Sequence, residues 1–87
     1  MAQKMIGRLT EEQYDSLPGM GREIHSYWRN YKKKLYKDMA DSGELYPYLM
    51  KEGERLEEMV ISLMQNGMDQ AGALEVARAE YNEDMMY

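Results

Sequence analysis

Apolar residues in this chain recur mostly at helical spacing. From Arg22 to Ala40, winding at about 100° per residue gathers Ile24, Tyr27, Trp28, Tyr31, Leu35 and Met39 into one stripe. Arg22, Arg29, Lys33 and Lys37 fall opposite, with Ser26 and Asn30 between them. The pattern predicts a single helix from Gly21 to Asp41, closed by Ser42-Gly43. Gly43 suits the left-handed residue that follows a helix end. A second stripe of Leu45, Leu49, Leu56, Val60 and Leu63 predicts a helix over Glu44–Asn66. Pro47 is tolerated there only in the first turn. Gly53 lies beside this stripe, where it permits another helix to come close. Met50 and Ile61 fall off the stripe and are free to pack a further element or a second subunit.

Two shorter helices flank these. Thr10-Glu11-Glu12-Gln13 has the order of a capping box, so a helix starts there and runs to about Ser16. Pro18-Gly19 ends it. Asp69 is a good N-cap for a last helix over Gln70–Glu83, with Leu74, Ala77, Tyr81 and Met85 along its apolar edge. Asp84–Tyr87 is expected to fray. No alternating strand pattern is evident, and Met1–Leu9 has no period at all. The expectation is therefore an all-α fold: a small helical bundle of three main helices plus a short N-terminal helix. Residues 1–9 form a flexible segment and residues 10–87 a single helical domain.

Composition narrows the function more than the fold. Eighty-seven residues suit one domain with a modest core. Ten Met and eight Tyr, with no Phe, either simply build a small core with amphipathic edges or offer an adaptable interaction surface. The absence of Cys rules out thiolate metal sites and fits a reducing compartment. Met1–Thr10 lacks the apolar run of a signal peptide, and no window approaches the length of a membrane span. Together these give a cytoplasmic location as the expectation.

The net charge of −5 conceals two unlike halves. Residues 1–40 carry eight Lys/Arg against five Asp/Glu, a balance of +3. Residues 41–87 carry three against eleven, a balance of −8. Catalytic chemistry finds little support. His25 is the only His, the paired acids are adjacent and so diverge around their helices, and no serine has a motif partner. No cofactor, metal or small-molecule substrate is expected. The segment Leu63–Ala71 has the outline of a helix-turn-helix, but the helix after it is acidic and would repel phosphate. It is read as a structural hairpin. The basic face of the long helix is the better candidate. Arg22, Arg29, Lys33 and Lys37 would contact phosphate or another anionic partner, with Tyr36 off the apolar stripe and able to stack or reach a phosphate. Favourable placement of lysines near a helix C-terminus explains the same run without any ligand.

Tyr27-Trp28, Lys34-Leu35-Tyr36, Ser42-Gly43-Glu44-Leu45, Tyr48-Leu49, Glu57-Glu58-Met59 and Leu63-x-x-Gln-x-Gly67 carry a family likeness. Over about residues 22–67 the chain resembles the small transposon-encoded TnpV-type proteins of bacterial mobile elements. That resemblance implies a non-enzymatic accessory or regulatory role, binding DNA or a recombinase. The alternative expectation is a protein–protein interaction module, homodimeric through Met50, Ile61 and the Tyr/Met surface.

Overall fold

The computed structural model describes residues 3–82. A two-residue strand pair opens the chain, β1 (Met5–Ile6) antiparallel to β2 (Leu9–Thr10). Five helices follow: α1 (Glu11–Ser16), α2 (Gly19–Tyr31), α3 (Lys33–Asp41), α4 (Leu45–Gln65) and α5 (Gln70–Ala79). The fold is mostly helical, as the periodicity predicts.

The capping box forms as its sequence demands. Gln13 N–H donates to Thr10 Oγ1 at 3.1 Å, and Thr10 N–H donates to Gln13 Oε1 at 3.0 Å. Asp69 caps α5 by accepting from Gly72 N–H at 2.8 Å. Both α3 and α4 end with paired bonds back into the last turn. Glu44 N–H reaches Met39 O at 3.0 Å, and Met68 N–H reaches Leu63 O at 3.1 Å. The last helix ends at Ala79, short of the expected Glu83, with Glu80 and Tyr81 already in a turn. Residues 83–87, including Met85, lie outside the described residues.

The core is built on α4. Leu45, Leu49, Leu56 and Val60 are buried on it, with Ile24 and Trp28 from α2 and Ala73 and Ala77 from α5. Leu63, from the same predicted stripe, is only half-buried. Of the off-stripe residues, Met50 is half-buried against the core and Ile61 is exposed. The α2–α4 crossing is set by two glycines. A Cβ on Gly53 would stand 2.8 Å from Gly21 N, and one on Gly21 would stand 2.8 Å from Leu49 O. No side chain fits between these backbones, so the close approach anticipated from Gly53 is realised against Gly21.

Two expectations about the N-terminal half fail. The first concerns Met1–Leu9: residues 5–10 form the hairpin, and Leu9 is a buried core residue. Gly7 turns the hairpin at φ 62°, the first position of a two-residue loop where a type II′ turn requires glycine. Glu11 N–H, bonded to Lys4 O at 2.9 Å, ties the hairpin to the start of α1. The second concerns the long helix over Gly21–Asp41. It breaks at Lys32, whose φ of −126° and ψ of 55° are not helical. The phase of the apolar stripe changes there. Ile24 and Trp28 are buried and Tyr27 and Met39 half-buried as predicted, but Tyr31 and Leu35 face solvent, and Tyr36 and Ala40 pack inward instead.

Candidate anionic-partner interface

The break has an identifiable tertiary cause. His25 and Tyr36 are eleven residues apart, which in a straight helix separates their Cα atoms by about 16 Å along the axis. Side chains of their length cannot close that gap. In the fold His25 Nε2 lies 2.8 Å from the Tyr36 hydroxyl. The chain folds back at Lys32 and brings Tyr36 against α2. No proline or glycine at the break announces it.

The same hydroxyl secures the hairpin. Tyr36 Oη accepts from Arg8 N–H at 2.7 Å. A Cβ on Gly7 would collide with this hydroxyl and stand 3.3 Å from Arg29 Cδ. The hairpin tip thus rests on Tyr36 and on the stem of Arg29. We assign the Tyr36 proton to His25 Nε2, because the oxygen already accepts from Arg8. This needs a neutral imidazole. Burial of His25, and secondarily the positive charge of Arg29, hold its pKa below the ordinary imidazole value. Its ring also makes edge-on contacts with Tyr14 at 5.6 Å and Tyr36 at 5.3 Å. Only 2% of its surface is accessible, so the one His of the chain is a core residue.

The sequence-predicted contact residues separate into two groups. Arg29, Lys33 and Lys37 are exposed. Lys37 lies 3.4 Å from Asp41 Oδ2, one turn on, and Arg8 reaches the same carboxylate at 3.9 Å. Lys33 is one turn before Lys37 on α3. Arg8, Arg29, Lys33 and Lys37 therefore make one basic edge around the α2–α3 break, and Asp41 is the carboxylate paired within it. The reading of Arg22 and Tyr36 as surface contacts is corrected. Arg22 is half-buried and closes the end of α1: its Nη2 donates to Asp15 O at 2.8 Å and its Nε to Tyr14 O at 3.2 Å. Its guanidinium also lies 5.4 Å from the centre of the Tyr14 ring. Tyr36 is only 6% exposed and cannot stack on a partner without unfolding the edge. Arg8 is the functional candidate that periodicity missed. Its signal was the Ile6-Gly7-Arg8-Leu9 order, a two-residue glycine turn between apolar residues.

The helix-turn-helix outline over α4 and α5 forms an ordinary helical hairpin. Arg78 of α5 is held by Glu23 of α2, Nε to Oε1 at 2.8 Å, and Tyr81 Oη donates to the same oxygen at 3.2 Å. Burial, then the negative charge of Glu23, pushes the Tyr81 pKa up to about 12. Among the described residues no three His, Cys, Asp or Glu side chains gather as a metal site. None of the described helices is long and apolar enough to cross a membrane. No protein-family model, characterised protein or solved structure matches the chain.

Proposed function

We propose that this chain is a non-enzymatic binding protein that engages the phosphate backbone of duplex DNA through Arg8, Arg29, Lys33 and Lys37. The observation that carries the reading is the convergence of these four cations. The hairpin and the α2–α3 break place them on one edge of an otherwise acidic molecule, and Asp41 is the carboxylate paired with them. The resemblance to TnpV-type proteins supports an accessory or regulatory role in a bacterial mobile element, with a recombinase as the protein partner. Four phosphate contacts would give an apparent affinity that falls with salt at a log–log slope on the order of −3 to −4.

Fluorescence anisotropy with mixed-sequence duplex DNA tests this. The wild type is compared, at low and moderate salt, with an Arg29→Glu, Lys33→Glu, Lys37→Glu variant whose helicity is confirmed by circular dichroism. Salt-sensitive binding by the wild type, lost in the folded variant, is the expected result. Absence of binding at low salt overturns the proposal. A second reading, a protein interaction module, is favoured by a separate observation: Ile61 and Met64 are exposed on α4 beside an apolar groove.

A further inference from the structure

An apolar groove lies at one end of α2, and two exposed apolar side chains lie near the other. At its N-terminal end, α2, α4 and α5 enclose a groove of about 340 Å³. Met20 and Leu74 line it, with Ile61 and Met64 at its edge. Ile61 is 55% exposed. The charged side chains lining the groove are both carboxylates, Glu23 and Glu57. Glu23 is paired with Arg78. Glu57 accepts from Met20 N–H at 3.3 Å and has no salt bridge among the described residues. At the C-terminal end of α2, Tyr31 is 68% and Leu35 is 44% exposed, four residues apart across the break. The segment 31–37 that carries them holds four lysines and no acid.

We infer that these patches bind each other between two copies of this chain, the Tyr31/Leu35 knob of one seated in the Met20/Ile61/Met64/Leu74 groove of the next. The complementarity is double. Exposed apolar side chains meet an apolar groove, and a lysine-rich segment meets a groove wall whose charged groups are carboxylates. The groove belongs largely to the half of the chain with a balance of −8, and the knob to the half with +3. Such opposition steers association and fixes its direction. The patches cannot meet within one molecule, because α2 holds them about 18 Å apart. They are also unlike, so the contact is head-to-tail rather than two-fold, and it builds a ring or an open row of subunits. A contact of this small size is weak and reversible. It shares Lys33 and Lys37 with the phosphate-binding proposal but uses neither Arg8 nor Arg29, so it is tested without nucleic acid.

Sedimentation of the full chain without nucleic acid tests the inference. At low salt the mean mass should rise with concentration from 10.3 kDa toward multiples of it, and fall back as salt is added. Leu35→Glu removes the knob and Ile61→Glu spoils the groove. Both sites are exposed, and folding is checked by circular dichroism. Each variant alone should stay monomeric. Their equimolar mixture should form a 1:1 dimer and nothing larger, because each such pair retains one working knob and one working groove. A wild type that stays at 10.3 kDa at every concentration overturns the inference, as does a mixture that stays monomeric.

Discussion

The α2–α4–α5 layer and the hairpin–α3 edge are held together by different physics. The layer is closed by apolar burial: Leu49, Ala73 and Ala77 have no accessible surface, and the Gly21–Gly53 crossing brings two backbones into contact. Burial is non-directional and spread over many atoms. The edge adds to its buried Leu9 a directional chain of two hydrogen bonds, Arg8 N–H to Tyr36 and Tyr36 to His25. One hydroxyl joins them. The lesson is that the layer should fail only globally, whereas the edge can be released by removing one atom or adding one proton.

The largest expected effect is in the layer. Leu49→Ala removes a fully buried side chain and should destabilise the whole domain by about 3 kcal/mol, read by chemical denaturation. Gly53→Ala should cost about 2 kcal/mol, because its Cβ would overlap Gly21 N and the helices must separate. Either substitution should lower hydrogen-exchange protection in all helices together. A loss confined to α3 would show that the two regions are not divided as described.

Tyr36→Phe should cost about 1–2 kcal/mol, since it leaves Arg8 N–H and His25 Nε2 without their partner. Hydrogen exchange should locate the effect. Arg8 should lose protection while Leu49 and Leu56 keep theirs. If the proposed phosphate edge depends on the hairpin position, DNA binding should weaken in this variant although no cation is removed.

Acid should act on the same joint. The His25 pKa is lowered in the folded state, so the unfolded chain binds the proton more readily. Stability is therefore complete above about pH 6.5 and falls as the pH drops from there toward the depressed folded value. Each unit between the two pKa values is worth about 1.4 kcal/mol. His25→Phe keeps a ring but cannot titrate. Its denaturation midpoint should change less with pH over this window than that of the wild type. Equal pH dependence in the two proteins would remove His25 as the cause.

The smallest effect is expected at the half-exposed Glu23–Arg78 pair. Glu23→Gln should change stability by less than about 1 kcal/mol. It should also move the Tyr81 pKa from about 12 toward the ordinary phenol value, seen by absorbance titration, because the Glu23 charge and hydrogen bond contribute to the rise. An unchanged titration would leave burial as the whole cause.

Much of the layer was legible in the chain because its determinants are local or periodic. The Thr10 and Asp69 caps use side chains within three residues of their targets. Most of the α4 stripe, Leu45 to Val60, is buried as helical spacing requires. Gly53 announced a close crossing, though its partner Gly21 could not be named from spacing alone. At the candidate site, the exposure of Arg29, Lys33 and Lys37 followed from the helical wheel. Arg8 did not, because it reaches the edge only through a hairpin whose buried contact, Leu9, depends on distant helices.

The amino-acid sequence by itself determined where most helices start and stop, which face of α4 is apolar, and that cations concentrate near residues 22–37. Those properties arise from contacts a few residues apart, so the chain carries them wherever it folds. Tertiary structure alone decided that the long helix breaks at Lys32, that Tyr36 turns inward while Tyr31 and Leu35 turn out, and that Arg8 joins the basic edge. The local pattern fits a straight helix as well as a broken one. The choice between them rests on a hydroxyl meeting an imidazole eleven residues away and an amide twenty-eight residues away, and only the folded chain brings those groups together.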